Sequence, residues 1–556
     1  MKQLIECVPN FSEGRDMNII RQITDEIEKV EGVKLLDVDP GQATNRTVVT
    51  FVGEPEKVVE AAFQAVKKAK ELIDMSKHKG AHPRFGATDV CPLVPVSGIT
   101  MEETVRFARM LAEKIGNELD FPVYCYENAA FTEERRNLAN VRSGEYEGLP
   151  EKLRNPEWKP DFGPSEFRPK TGAIAVGARD FLIAVNFNLN TTSTRRANAI
   201  AFDVREKGRQ KMKDGKPLLD ENGQEIWEPG TLKATKAIGW FIDEYGIAQV
   251  SMNITNISIT PLHVAFDEVD EKARKRGVRV TGTEIVGLVP LKAIIEAGKH
   301  YLKKQQRSVG VSEAELIKIA IKSMGLDDLY PFKPEEKIIE YVIADKSKKK
   351  LIDMNLTAFA HETASESPAP GGGSISAYAG ALGAALATMV ANLSSHKRGW
   401  DDRWEEFSDW AEKGHRFVDE LIELVDEDTN AFNKVMDAFQ LPKTTDEERQ
   451  IRNQAIQDAT KYAMLVPYRV MEKSLASMEV IRAMAQYGNP NSASDAGVGA
   501  LCALTAVKGA FLNVRINSAG LKDKTFVEEM LAKGKSMVEA AESLQNEILQ
   551  LVETHL

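Results

Sequence analysis

The sequence predicts an α+β multidomain protein: two α/β sandwich-like subdomains followed by an all-α helical domain. Three observations carry this. A chain of 556 residues is too long for one core, and length alone suggests three or four domains. Strand-like and helix-like patterns alternate through residues 1–180 and again beyond 181. Past Leu351 strand signals nearly vanish and long helical patterns take over. The expected boundaries are 1–180 and 181–326 for the subdomains, 327–334 for a linker and 335–556 for the helical domain.

The elements follow in order. Residues 1–8 read as a strand. Residues 33–39 and 46–53 are β-branched runs bounded by turn residues, hence strands. Glu54-Pro55 opens a helix whose Val58, Val59, Ala62, Val66 and Ala69 share one face. Residues 90–96 and 121–126 are further strands, and Thr100 with Glu103 forms a capping box for a helix between them. Residues 148–172, rich in Pro, Gly and charge, form a long connector. Residues 181–189 and 247–254 are strands and 193–207 a helix. Asp214-Gly215 and Asn222-Gly223 mark a hairpin insertion over 213–230. Beyond the boundary at 329–334, helices are expected over 375–392, 404–440, 445–484, 496–512 and 526–554. Ser394 to Trp410, with three of the six tryptophans, reads as a loop and a helix start.

Composition excludes several classes. The net charge of −11 disfavours nonspecific nucleic-acid binding. Four scattered cysteines without a CxxC pair indicate reduced thiols of a cytosolic protein. The N-terminus lacks the apolar core of a signal peptide. Residues 375–393 are long enough to span a membrane, but Ser376, Tyr378, Thr388 and Asn392 interrupt them, so a buried helix of a soluble bundle is expected. No spacing suits a metal site: His78 and His82 are four apart, but Gly80 and Pro83 remove the helix such a pair needs.

The motif richest in chemistry is His78-Lys79-Gly80-Ala81-His82-Pro83-Arg84-Phe85-Gly86-Ala87-Thr88-Asp89. Two imidazoles, a guanidinium and a carboxylate sit on a turn, where an imidazole can take and give a proton; the bland reading is a solvated histidine pair. Asp39 ends a strand before a Gly loop carrying Asn45 and Arg46, a common site geometry or an ordinary turn. Asn10, with Ser12 and Gly14, is a weaker case of the same kind. Asp161 to Ala173, through Gly163, Pro164, Ser165 and Gly172, is either a loop that meets a flat ligand with backbone amides or a plain linker. In the helical part, Gly371-Gly372-Gly373-Ser374 leads into a helix and would favour an anion, unless it is a hinge. Helical spacing places Val425, Asp428 and Phe432 on one side, so Asp428 is expected to be desolvated, with the raised pKa of a general acid, or else to be a partly buried helix carboxylate with a structural partner; Asp426 and Glu427 are expected to be solvated. Asp495 reads as an N-cap, and Asn513 and Asn517 share a helix face and need partners.

Glu6-Cys7-Val8-Pro9-Asn10-Phe11-Ser12-Glu13-Gly14, Asp37-Val38-Asp39 with Thr44-Asn45-Arg46-Thr47, the 78–89 loop, Asp161-Phe162-Gly163-Pro164 and Ile285 to Leu291 resemble the formiminotransferase domain. Ala369 to Ser374, Val425-Asp426-Glu427-Asp428 and Asn513-Val514-Arg515-Ile516-Asn517 resemble formiminotetrahydrofolate cyclodeaminase. Their order matches the bifunctional formiminotransferase-cyclodeaminase family over essentially the whole chain. The resemblance implies an enzyme of histidine degradation. It would move a formimino group from N-formimino-L-glutamate to tetrahydrofolate, then cyclise the product to 5,10-methenyltetrahydrofolate with release of ammonia. It implies His82 as acid/base of the first step, and Asp428, then Asp426, as acid of the second. It implies substrate and folate contacts at Asn10, Asp39, Asn45, Arg46, Gly163, Pro164, Ser165, Gly172, Phe202, Asp203, Val204, Gly371, Gly372, Gly373 and Ser374. Tetrahydrofolate, polyglutamylated, would be a co-substrate, with no metal, no nucleic acid and no membrane. The protein would be a cytoplasmic homo-oligomer, a ring of dimers, in which the Gly371–373 amides or the lysines at 348–350 pass the glutamate tail between sites. Two other readings stand beside it: a monofunctional transferase with a helical oligomerisation domain, and a non-catalytic folate-binding assembly protein.

Overall fold

The structure, a computed structural model, describes residues 3–41, 45–80, 84–213, 215–344 and 350–556. The sequence-proposed His82 lies outside the described residues, as do Thr44, Asp214, Lys348 and Lys349. The chain forms two compact units, one of Met1–Ile294 with Met324–Ala344 and one of Ile295–Ser323 with Asp345–Leu556.

The first unit opens with β1 (Leu4–Cys7) and β2 (Asn10–Phe11), then α1 (Met17–Glu28), β3 (Val33–Gly41), β4 (Arg46–Gly53), α2 (Pro55–Leu72), β5 (Thr88–Ser97), α3 (Met101–Leu119) and β6 (Val123–Glu127). Three short helices, α4 (Glu133–Arg136), α5 (Leu138–Arg142) and α6 (Glu145–Lys152), precede β7 (Ile174–Ala178). The strands make one mixed sheet. β1 and β2 lie end to end between β4 and β5, β3 pairs with the far side of β4, and β5, β7 and β6 run parallel. The capping box at Thr100 forms as expected.

Side chains alternate across a strand. Val49 and Phe51 of β4 join Ile23, Ile27, Val58 and Ala62 of α1 and α2 in the core. Arg46, Val48 and Val52 face the other way. Glu6 stands opposite Val52, and Asn10 and Asp39 opposite Val48. Register therefore puts Glu6, Asn10, Asp39 and Arg46 on one face of the sheet, away from α1 and α2.

A second, four-stranded antiparallel sheet follows. It begins with β8 (Ile183–Leu189) and α7 (Thr194–Val204). The expected hairpin insertion is built from two-residue strands β9 (Arg209–Gln210), β10 (Met212–Lys213), β11 (Lys216–Pro217) and β12 (Trp227–Glu228). β13 (Thr235–Ile242), β14 (Ile247–Ile254), α8 (Leu262–Lys275) and β15 (Val280–Val286) complete the order β13-β14-β8-β15. The apolar side chains turn to α7 and α8. The opposite face is polar: Glu284 accepts hydrogen bonds from Asn186, Gln249, Tyr245 and Tyr330 at 2.9–3.3 Å.

α9 (Leu291–Lys304) and α10 (Glu313–Met324) follow, and then α11 (Pro334–Lys337) and α12 (Ile339–Val342), where Ile338 bridges to Val289. From residue 350 onward the second unit is helical: α13 (Leu356–Thr363), α14 (Gly372–Ser395), α15 (Trp404–Gln440), α16 (Asp446–Tyr487), α17 (Ala493–Ser518) and α18 (Lys524–Glu553). Small residues line the faces of α14 and α17, so the bundle packs closely around Ala377, Ala384, Ala500 and Ala503. α14 and the segment Pro490–Ser518 are each long and apolar enough to cross a membrane.

Three expectations are corrected. α14 starts at Gly372, so Gly372 and Gly373 belong to the first helical turn and not to a preceding loop. The N-cap of α17 is Ser492, and Asp495 lies inside the first turn. Phe432 is 43% exposed: its helix face is apolar in sequence but is left open among the described residues.

Candidate functional sites

On the first unit the site is built around a buried carboxylate. Asp89, 1% exposed, sits where β2 and β5 fall out of register. Arg142, the last residue of α5, grips it through Nε to Oδ1 at 3.1 Å and Nη2 to Oδ2. Arg46 places Nη1 3.6 Å from the same Oδ2 and donates from Nη2 to Asn10 Oδ1. Burial draws the Arg46 guanidinium below its ordinary pKa; Asp89 pulls it back up, and the Arg142 charge adds to the fall. Two guanidinium groups thus share one carboxylate beside Asn10.

Asn45 is the junction of the loops around this cluster. It adopts φ 50°, in the left-handed region that Asn tolerates better than most residues. Its Oδ1 accepts the Gly14 N–H and its Nδ2 donates to Lys79 O, both at 3.0 Å. His78 Nε2 lies 2.8 Å from Asn45 O and therefore donates to it. His78 is buried, which removes the reading of a solvated histidine pair for this member. Arg84 fastens the same loop through Met75 O at 3.0 Å and through His78 O, and it pairs with Glu147 at 2.6 Å over the Tyr146 ring. Asp39 is exposed on β3, on the same sheet face as Asn10 and Arg46.

Of the remaining sequence candidates on this unit, Gly172 bridges Gly86 of the 78–89 loop. Gly163 and Gly172 have φ of 79° and 70°, and a Cβ at either would lie 2.1 Å from Phe121 O or 2.3 Å from Phe85 O. Both glycines are thus required by the protein's own backbone. Pro164 is half-buried and Ser165 exposed. Phe202 and Asp203 line a separate pocket of about 450 Å³ with Arg209, Lys272 and Arg276; Asp203 is held by Arg209 and by Arg276 Nε at 2.7 Å. Val204 is fully buried in the core. Arg142 escaped the sequence reading. The one available signal was an acid, Asp89, entering an apolar strand and therefore needing a counter-charge.

On the helical unit, Asp428 of α15 meets the start of α14. Its Oδ2 accepts the Ser374 N–H at 2.9 Å and the Ser374 hydroxyl at 3.1 Å. The anion favoured at this helix start is thus the protein's own side chain. Burial raises the Asp428 pKa, and the Ser374 hydrogen bonds restrain the rise. Asn513 lies beside Gly372, its Nδ2 donating to Gly509 O at 3.0 Å, while Asn517 donates to Ala463 O at 2.7 Å. Asp426 turns elsewhere and accepts the Leu351 N–H at 2.7 Å; Glu427 accepts from Tyr462. Neither is simply solvated, as the helix pattern had suggested.

An α/β unit with two arginines gathered on a buried carboxylate and a helical unit with a desolvated acid at a helix start are the two candidate sites of an enzyme. Residues 4–179 match the family described as the formiminotransferase domain, N-terminal subdomain; residues 184–344 match the formiminotransferase domain, and 355–536 formiminotransferase-cyclodeaminase. The chain is 43% identical over 544 residues to the formimidoyltransferase-cyclodeaminase of Mus musculus, covering 98% of this chain and 97% of that protein. It is 42% identical over 303 residues to the glutamate formimidoyltransferase of Streptococcus pyogenes, covering 54% of this chain and 94% of that one. A crystal structure of formiminotetrahydrofolate cyclodeaminase from Thermotoga maritima is similar at 28% identity, covering 37% of this chain and 98% of that one, with a TM-score of 0.33. The chain belongs to the formimidoyltransferase-cyclodeaminase family, and it is a bifunctional, folate-dependent transferase and lyase.

Proposed function

We propose that the first unit transfers a formimino group from N-formimino-L-glutamate to N5 of tetrahydrofolate and that the helical unit closes the product to 5,10-methenyltetrahydrofolate. In the transfer, N5 attacks the amidine carbon and loses a proton, and the glutamate amine leaves with one. His82 is the group that moves this proton, Asp39 holds the cationic amidine or orients His82, and Arg46 receives a carboxylate. The guanidinium groups of Arg46 and Arg142, gathered at Asp89, are the observation that supports an anionic ligand there.

In the cyclisation, N10 bonds to the formimino carbon and loses its proton, the C–N bond to the terminal nitrogen breaks, and that nitrogen leaves as ammonia after gaining protons. Asp428 is the acid, and Asp426 the second candidate. The observation that carries this is the Asp428 carboxyl, desolvated yet aimed at a helix start. The N–H groups at Gly372 and Gly373 and the Ser374 hydroxyl are the folate contacts proposed here.

The folate is polyglutamylated, and the enzyme is a cytoplasmic homo-oligomer, a ring of dimers. Exposed Ile375, Leu382 and Met389 on α14, with Val498, Leu501 and Leu512 on α17, support self-association through the bundle. The test supplies N-formimino-L-glutamate with tetrahydrofolate, and separately presynthesised 5-formiminotetrahydrofolate, to the full chain. Glutamate formation in the first and ammonia release in the second are expected. Glutamate without ammonia would reduce the helical unit to a scaffold, and neither product would leave a binding protein.

A further inference from the structure

Lys152, the last residue of α6, reaches back to the end of α5. Its ammonium donates to Asn140 O at 2.9 Å, Val141 O at 2.6 Å and Ser143 O at 3.1 Å. An ammonium has three N–H donors, so all of them go to backbone carbonyls. The Trp158 ring, its centroid 4.0 Å from Nζ, stands against the same charge. These carbonyls bracket Arg142 on both sides in the chain. α5 is five residues long, too short to hold its own shape in water, and Arg142 is its last residue. A cation at a helix C-terminus satisfies carbonyls that find no partner within the helix. The Lys152 ammonium therefore fixes the stretch of backbone from which Arg142 extends to Asp89, with Nε 3.1 Å from Oδ1.

Burial, and after it the charge of Arg135 on α4, draws the Lys152 pKa down to about 8 against the opposing pull of Glu134 on the same helix. Arg135 is itself paired with Asp161. Above that value a neutral amine keeps two N–H donors for three carbonyls and loses its attraction to the Trp158 ring.

We propose that Lys152 is a positioning residue for formimino transfer: its ammonium holds the end of α5 so that the Arg142 guanidinium stays on Asp89. The proposal rests on the transfer reading above, in which Arg142 and Arg46 gather where an anionic ligand binds, and adds to it the group that keeps Arg142 there. Lys152 acts only through Arg142; no bond to a substrate forms or breaks at it. Mildly alkaline pH then weakens transfer and leaves ammonia release alone.

The experiment uses the full chain with Lys152→Met and Lys152→Arg, and thermal melting to confirm folding. KM and kcat for both substrates of the transfer are measured across neutral and alkaline pH. Hydrogen exchange read by mass spectrometry reports the protection of residues 138–143, and ammonia release from presynthesised 5-formiminotetrahydrofolate is the control. Arg142 is a recognition group, so the effect falls on KM more than on kcat. In the wild-type chain, KM of the substrate that meets Arg142 is expected to rise about tenfold between about pH 7 and about pH 9, where about one ammonium in ten remains. In Lys152→Met it is expected to stand about 10- to 100-fold above wild type at neutral pH, the cost of a misplaced binding group, and to stay flat with pH. Lys152→Arg stays charged throughout and is expected to lose the alkaline rise. Residues 138–143 should exchange faster in Lys152→Met than in wild type, with ammonia release unchanged.

Unchanged KM for both substrates in a folded Lys152→Met chain overturns the proposal even where exchange is faster, since the ammonium is then structural only. An alkaline rise in Lys152→Arg equal to that of wild type also overturns it, and decides alone if Lys152→Met does not fold. Active wild type with unaffected variants refutes this proposal and leaves the transfer reading standing. A wild-type chain that forms no glutamate refutes the transfer reading, and exchange then decides the rest. Protection of 138–143 that is lost in Lys152→Met and kept in Lys152→Arg upholds the hold on Arg142, and equal protection in all three chains overturns it.

Discussion

Gly373 and Asp428 occupy one space between them: a Cβ at position 373 would lie 2.1 Å from Asp428 Oδ1. The glycine is therefore a condition for the carboxylate to reach the Ser374 N–H. Gly373→Ala is expected to lower ammonia release from 5-formiminotetrahydrofolate about 100-fold, by displacing a positioned acid. Helicity should not suffer, because Ala favours a helix over Gly by roughly 1 kcal/mol. Circular dichroism and the ammonia assay on the same sample check both halves. A fully active Gly373→Ala chain would show that Asp428 need not sit where it does.

Asp428→Asn should likewise cost about 100-fold in cyclodeamination, the lower end for a general acid, while glutamate formation continues and 5-formiminotetrahydrofolate accumulates. Burial raises the Asp428 pKa, so its protonated form persists to higher pH than for an ordinary carboxyl. A rate that needs this proton falls as pH rises through the raised value, and Asp428→Asn removes that limb of the profile. Asp426→Asn should do little, because an amide carbonyl can still accept the Leu351 N–H. The reverse ranking of the two variants would exchange their roles.

What was legible in the sequence follows the range of each interaction. The capping box at Thr100 and Glu103 spans three residues, so the chain announces it locally, and the strand at 46–53 shows in its β-branched residues. Helix spacing signals the desolvation of Asp428, but for a partly mistaken reason. The spacing puts Phe432 on the same covered side, whereas Phe432, Met436 and Phe439 form an exposed apolar stripe. Spacing identifies an apolar face, not what covers it. The pairing of Asp89 with Arg142 joins residues 53 apart and has no periodicity to betray it. Gly163 and Gly172 are signalled in sequence, yet their cause is a backbone approaching within the protein.

His82→Ala is expected to abolish formimino transfer and to leave ammonia release from presynthesised 5-formiminotetrahydrofolate near wild type, since the two sites lie on different units. Retained transfer in this variant would remove His82 from the reaction. His78→Ala should have the smaller effect, through loss of the 2.8 Å bond to Asn45 O. His78→Gln should restore most of the activity, because its amide nitrogen can stand where Nε2 donates. Failure of Gln to rescue would mean that the imidazole does more than tie the loops.

Glu6 should make the stability of the first unit depend on pH. Its carboxyl is buried on β1, and desolvation raises its pKa from 4.5 to about 7 against the opposing pull of Arg179. Between these values the unfolded chain is ionised while the folded chain holds the proton. The stabilising proton is fully bound in the fold below about 4.5 and is lost as pH rises through about 7. A shift of this size corresponds to about 3 kcal/mol between the two limits. Wild-type melting of this unit should therefore fall from pH 5 to pH 8 more steeply than that of Glu6→Gln, in which a neutral amide of similar shape replaces the acid. The variant should match wild type near pH 5 and melt higher near pH 8. Parallel curves for the two chains over that range would mean that Glu6 finds a compensating partner when ionised, and that burial does not govern its titration.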